Sequence, residues 1–318
     1  PAPRIEGSSW HFDSDKLQLN ISIPQIYMDA MAYDYISPTR WDEGINALTI
    51  NYDFSGSHTL RSDYGSQETD TSYLNLRNGL NIGPWRLRNY STLNTSDGRA
   101  EYNSISTWIQ RDIAALRSQI MIGDTWTASD IFDSTQIRGA RLYTDNDMLP
   151  ASQNGFAPVV RGIAKSNATV IIRQNGYVIY QSAVPQGAFE ITDLNTASTG
   201  GDLDVTIKEE DGSEQRFTQP YASLAILKRE GQTDVDVSVG ELRDEDGFTP
   251  DVLQAQILHG FSHGITLYGG MQAAENYGSA ALGVGKDLGA LGAISFDVTH
   301  ARANFSHDDT ETGQSYRF

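Results

Sequence analysis

Cysteine is absent from all 318 residues, so neither a disulfide framework nor a thiolate metal site is available. The same absence removes any redox hint about compartment. Basic residues are scarce: 23 Lys and Arg stand against 41 Asp and Glu, a formal net charge of −18, which leaves no basic face for a nucleic acid. No apolar run approaches the roughly 20 residues of a transmembrane helix. Hydropathy alone would therefore describe a water-soluble chain, but membrane β-strands give a far weaker signal. Pro1 opens the sequence with no basic stretch and apolar run behind it, so no signal peptide is visible and a processed or partial chain is expected.

What the sequence does have is alternation with a period of two, in segments of about ten residues, the length of a tilted membrane strand. Leu48, Ile50, Tyr52 and Phe54 alternate with Thr49, Asn51 and Asp53. The pattern repeats through Leu74 and Leu76, Trp85 and Leu87, Ile105 to Ile109, Leu116 to Ile122, and a weaker stretch at 136–145. It resumes with Val235, Val237 and Val239, then Leu253 to Ile257, Ile265 and Leu267, Leu282 and Val284, Ile294 to Val298, and a last segment running to Phe318. About twelve strands are expected. A soluble sandwich also alternates. Here the polar positions hold Asn, Gln, Ser, Arg and Gly with few Lys or Glu, which suits a hydrated lumen, and Tyr52, Phe54, Trp85 and Trp126 fall where aromatic girdles belong.

Residues 155–222 break the pattern. Ala168 to Arg173 and Tyr177 to Ser182 are short apolar strands joined by Asn175-Gly176, a type I′ signal because both central residues need positive φ. Asp202 to Lys208 and Glu214 to Tyr221 flank a second turn at Asp211-Gly212. Apolar residues on both faces predict a small β-sandwich with its own core. At the other end of the chain, Leu17 to Ile23 alternate like a strand that Pro24 closes.

These segments carry a family resemblance. Leu17 to Pro24, Trp41-Asp42 with Gly44 to Ala47, Tyr73 to Leu76, Gly79 to Gly83, Trp85 to Arg88 and Arg138 to Ala140 follow one another in the order seen in outer-membrane fimbrial ushers of the chaperone–usher pathway. Asp147 to Pro150, Gly155 to Pro158, Gln174 to Tyr177, Gly201 to Lys208 and Arg229 to Gly231 extend it; the sequence resembles the type 1 fimbrial usher in particular. The resemblance implies an all-β fold: a partial transmembrane antiparallel β-barrel with an inserted β-sandwich plug domain lying in the lumen. Residues 1–44 would lead from an N-terminal periplasmic domain, 45–150 and 232–318 would be barrel strands, and 151–231 the linkers and plug. It further implies a pore in the Gram-negative outer membrane, in contact with lipid, that secretes pilus subunits brought by a periplasmic chaperone. It implies no cofactor and no catalysis. Gly155, Phe156, Pro158, Arg229 and Gly231 would form the plug linkers.

Competing chemistry is thin. His259 and His263 lie four apart beside Gly260 and Gly264, and are expected in a turn; a zinc site needs three or four converging ligands. Asp244, Asp246 and Gly247 resemble part of a calcium loop without its final Glu. Glu209, Glu210 and Asp211 suggest paired glycosidase carboxylates but are expected to form a solvated turn. A soluble secreted adhesin or carbohydrate-binding sandwich stays open on alternation alone. Residues 71–141 hold eight Arg against six carboxylates, whereas 155–222 hold eight carboxylates against five basic groups. Alternation places Arg77, Arg86, Arg88 and Arg117 on the polar face. They either line a wet pore or latch the plug by ion pairs.

Overall fold

The computed structural model describes residues 8–27, 32, 34–59, 69–96, 98–195, 200–243, 249–305 and 309–318; Asp244, Asp246, Gly247 and His307 lie outside them. A first hairpin, β1 (Ser9–Asp13) and β2 (Gln18–Ser22), stands apart from the rest. Six strands then run up and down: β3 (Ala47–Thr59), β4 (Thr69–Ile82), β5 (Trp85–Ser96), β6 (Arg99–Ile113), β7 (Ser118–Trp126) and β8 (Gln136–Thr144). An insert carries β9 (Val160–Ala164), β10 (Ala168–Gln174), β11 (Tyr177–Val184), β12 (Gly187–Ile191), β13 (Gly200–Glu209) and β14 (Glu214–Ala222). Six more follow: β15 (Thr233–Leu242), β16 (Asp251–Phe261), β17 (Ile265–Ala274), β18 (Tyr277–Asp287), β19 (Ala293–Phe305) and β20 (Asp309–Arg317).

Among the described residues, β3–β8 and β15–β20 form one antiparallel sheet of twelve strands, β8 pairing directly with β15 across the insert. Register makes its two faces continuous. Leu48 lies opposite Leu80, then Leu87, Ile109, Ile122, Ala140, Val239 and Leu253 follow in one apolar row across eight strands. On the reverse face Arg141, Ser238, Gln254, Gln272 and Ser279 form a polar row. The polar face therefore looks inward, and large side chains such as Leu282 (76% exposed) stand outward. Two packed sheets, which a soluble sandwich requires, are not how these twelve strands are arranged.

One strand begins later than alternation predicts. Ala114–Leu116 form a 3-10 turn and Arg117 takes a left-handed conformation (φ 48°) before β7 starts at Ser118. The chain reverses there, so Leu116 and Arg117 sit on the rim instead of within a strand.

The insert is a sandwich of a four-stranded sheet, ordered β11-β10-β13-β14, and a two-stranded sheet of β12 and β9. Val160, Val170, Ile172, Phe189, Ile191, Leu203, Val205 and Ile207 fill the space between them. Asn175 (φ 52°) and Gly176 (φ 85°) make the two-residue turn of β10–β11. The β13–β14 turn is longer: Glu209 N–H donates to Ser213 O, and Gly212 takes φ 83°. At this turn the solvated-carboxylate expectation fails for Glu209, which is buried. Its carboxylate accepts from the Lys165 and Ser166 amides (3.0 and 2.9 Å), from Ser166 Oγ (2.7 Å) and from Gln215 Nε2 (2.7 Å). It ties the β9–β10 turn to the β13–β14 turn, and Glu210 and Asp211 remain exposed. The Lys165 amide first, and the Ser166 and Gln215 donors after it, outweigh desolvation and hold Glu209 down at about 2, against an ordinary 4.5.

Arg placed at Leu76 or Val237 should destabilise the barrel of the intact protein by about 2–4 kcal/mol near the bilayer midplane. A lipid-soluble thiol probe should reach Cys at Ile50 and Leu74 in preference to Asn51 and Asn75; the opposite preference would reverse the two faces. The sandwich, expressed as residues 155–222, should unfold cooperatively with about 5 kcal/mol of stability. Because Glu209 titrates lower when folded, its contribution is complete above pH 4.5 and disappears as pH falls toward about 2. Glu209→Gln should lower stability at pH 6 by about 1.5–3 kcal/mol and flatten that acid slope. Urea melts at pH 6 and pH 3 with parallel losses in both proteins would remove Glu209 from the account.

Candidate pore lining and gate

The inner face has two differently furnished halves. On β4 and β5, Arg77 lies over the Tyr90 ring at 5.3 Å, and Arg88 donates to Asn81 Oδ1 (2.9 Å) and Leu87 O (2.8 Å). Arg86 donates to the carbonyls of Gly83, Glu43 and Trp85. Among the described residues none of the three meets a carboxylate at ion-pair distance, so this part of the lining keeps its positive charge. With Thr49, Asn51 and Trp108, Arg77 and Arg88 border an open recess.

The second half is covered. Residues 127–135, between β7 and β8, turn onto the inner face of β16–β18. Gln254 Nε2 donates to Ala128 O (2.7 Å) and Gln256 Nε2 to Asp130 Oδ2 (2.6 Å). Ile131 and Phe132 pack on Leu258, Tyr268 and Ala281, and a Cβ on Gly270 would come within 2.8 Å of the Phe132 ring. Beside them Arg141 grips Asp236 Oδ2 through Nε and Nη2 (2.8 and 2.6 Å) and stacks on Tyr143 at 4.4 Å. The departure of this segment leaves β6 and β7 paired only from Trp108–Gly123 to Ile113–Ser118. Above that fork Asp124 accepts the Thr107 amide (2.8 Å), and Arg243 donates to the carbonyls of Ser104 and Ile105 (3.0 and 2.5 Å).

The sandwich hangs from two linkers rooted side by side at the ends of β8 and β15. Arg229, buried in the outbound linker, donates to Gly155 O (2.6 Å), Leu194 O (2.7 Å), Thr192 O (2.8 Å) and Asn154 O (3.4 Å). One guanidinium thus joins both linkers to the sandwich. Burial lowers it to about 10, with Tyr221 and Asp193 opposing, so it stays charged at neutral pH. Tyr221 O–H donates to Phe156 O (2.9 Å) and their rings stack, while Pro158 is buried. Gly155 (φ 72°) and Gly231 (φ 78°) take left-handed turns at the two linkers, and the Gly231 amide donates to Gly260 O.

At the root, Asp234 accepts from Arg117 Nη2 (3.1 Å) and Asn146 Nδ2 (2.9 Å) and pairs with Lys228 Nζ (2.7 Å). A rim turn, the inbound linker and the outbound linker therefore share one carboxylate. Of the four arginines singled out by alternation, Arg117 is the one joined to the root of the sandwich. Lys228, Asp234, Arg141 and Asp236 were not singled out, although alternation already puts Asp234 and Asp236 on the polar face.

The sandwich itself rests on the rim. Pro220 meets Gly289, Phe156 meets Gly264, and Ala293 packs on the sandwich core. Its outbound linker reaches the inner face, where Ile226 and Leu227 would lie 3.3 and 2.9 Å from a Cβ on Gly285. This differs from the expected place in the lumen. Both linkers leave from the same end of adjacent strands, and the inner face next to them is already occupied by residues 127–135. His259 and His263 are also not a turn pair: His259 lies on β16, 2.7 Å from Thr233 Oγ1, and His263 alone is in the turn.

Comparison with known proteins agrees with this geometry. A family model described as "Outer membrane usher protein" matches residues 73–318, and one described as "PapC N-terminal domain" matches residues 1–56. The chain is 49% identical to outer membrane usher protein LpfC of Salmonella typhimurium, over 99% of this chain and 38% of that protein. It is 46% identical to outer membrane usher protein FimD of Escherichia coli K12, over 99% of this chain and 36% of that one. PapC in a cryo-EM structure of an E. coli P pilus tip assembly intermediate, PapC-PapD-PapK-PapG, superposes with a TM-score of 0.66 at 31% identity, over 98% of this chain and 39% of PapC. The chain thus spans under two-fifths of the length of these relatives. It belongs to the outer-membrane usher family.

Proposed function

We propose that this chain supplies part of the wall and the gate of a pore that passes pilus subunits, brought by a periplasmic chaperone, across the outer membrane. One observation carries the reading most: a self-contained sandwich hangs by two glycine-turned linkers from the rim of a sheet that is apolar outside and polar inside. A domain so attached swings between rim and lumen without disturbing the wall. The PapC-PapD-PapK-PapG assembly of a relative supports chaperone–subunit complexes as the cargo. The chain works by conduction and occlusion, with no bond made or broken, as befits a transport family.

Arg77, Arg86 and Arg88 gain a role in this scheme. Among the described residues they face the lumen without carboxylate partners, and the sandwich carries eight carboxylates against five basic groups, a net of −3. Closure brings the two together. In a hydrated lumen each pair contributes roughly 0–1 kcal/mol, so a few of them bias the gate without locking it. About 1.4 kcal/mol already shifts the closed-to-open ratio tenfold.

Reversing Arg77 and Arg88 to Glu in the intact protein should raise resting conductance and antibiotic entry severalfold, with the amount of folded barrel unchanged. Raising salt should act in the same direction, since hydrated pairs are screened beyond about 8 Å at physiological ionic strength. Normal barrel assembly with unaltered conductance would make these arginines pore lining only. Deleting residues 160–222 should leave the pore open; an unchanged conductance there would defeat the gate itself.

A further inference from the structure

The sandwich is also held from a part of the chain that lies before the first wall strand. Gln25 touches its body across 165 residues of sequence, and Asp34 touches its inbound linker across 118. At the body, β12 pairs with β9 along one edge, and its Glu190 N–H donates to Gln25 Oε1 at 2.8 Å. The 3-10 turn Gln25–Tyr27 lies against β12. Pro24, itself buried, packs on Gly187, where a Cβ would come 2.8 and 2.9 Å from the proline ring. Gly187 has φ 120°, so both its conformation and the close approach call for glycine. At the linker, Asp34 accepts from the Ser152 amide (3.1 Å) and from Ser152 Oγ (2.5 Å), and Ser152 is fully buried.

These contacts involve two separate parts of the gate and one short segment. That segment runs from the β1–β2 hairpin to Ala47, where β3 begins, within the region that matches a PapC N-terminal domain. We propose that Pro24, Gln25 and Asp34 form a strap that holds the sandwich on the rim and makes the gate's position depend on the N-terminal domain. The proposal rests on the pore reading above. The strap is tied to the rim through β3, so the sandwich cannot enter the lumen while Glu190 stays bonded to Gln25 and Ser152 to Asp34. A strap in place keeps the pore clear, and withdrawing it releases the sandwich inward. By linkage, whatever moves the N-terminal domain against the strap changes the open population, and the reverse holds as well.

The test uses the intact protein with two alterations. Gln25→Ala with Asp34→Ala removes the strap's polar contacts; Gln25→Cys with Ala188→Cys, joined by a short bismaleimide, makes them permanent. The alanine pair should lower the open-to-closed ratio in planar bilayers about tenfold, the equivalent of about 1.4 kcal/mol. It should also speed amide hydrogen exchange at Ser152 and Glu190 by a similar factor. The cross-linked protein should stay open and lose its closures. Unchanged exchange at both amides, in an alanine variant whose barrel assembles normally, would overturn the strap; so would a cross-linked protein that still closes. Exchange does not depend on conductance, so it decides the strap even if deletion of residues 160–222 shows that the sandwich gates nothing.

Discussion

Lipid offers no hydrogen bonds, and this requirement governs the wall. Every backbone N–H and C=O facing the bilayer needs a partner in the protein, which a continuous antiparallel ladder supplies. Among the described residues the sheet meets the demand strand by strand, but the pairing of β6 with β7 stops above Trp108–Gly123, near where the chain leaves β7 to turn inward. There the side chains of Asp124 and Arg243 take over the roles of missing backbone partners on β6. Asp124 is itself balanced by Arg138 at 2.7 Å, so the repair brings its own counter-charge. Inward departure of residues 127–135 is thus tolerated because two charged side chains replace the ladder they left behind.

Much of this architecture is legible in the sequence, because a strand with lipid on one side and water on the other has to write both environments into alternate positions. The row from Leu48 to Leu253 is visible as alternation before any pairing is known. Asn175-Gly176 gives its turn away because few other dipeptides take two positive φ angles. The unforeseen features depend on residues far apart in the chain. Glu209 looks like one of three turn carboxylates, and only the approach of the Lys165–Ser166 turn makes it a buried acceptor. Arg117 continues the alternation of its neighbours, but the chain reverses there and the alternation is accidental. Glycines such as Gly270 and Gly285 carried a hint of close packing, since glycine weakens a strand unless something needs the space.

Charge is used differently in the two halves of the lining. Around Asp234 the ionic groups are mutually satisfied and partly enclosed, which suits a fixed root: removing one partner would leave charge stranded in a confined place. On β4 and β5 the guanidiniums rest on an aromatic ring, a side-chain amide and carbonyls, contacts that orient them without neutralising them. The root of the sandwich is electrically closed, and the arginine-bearing surface on β4 and β5 is electrically open.

The direct pairing of β8 with β15 has a consequence for how such a protein comes to exist. Tyr143 lies opposite Asp236, and Ile137 opposite Leu242, although the whole sandwich separates them in sequence. An insertion between two strands that are already neighbours adds no gap and shifts no register. The wall can be translated, threaded into the bilayer and sealed as though its passenger were a long hairpin loop. A change confined to the sandwich therefore leaves the pairing of β8 with β15 in place.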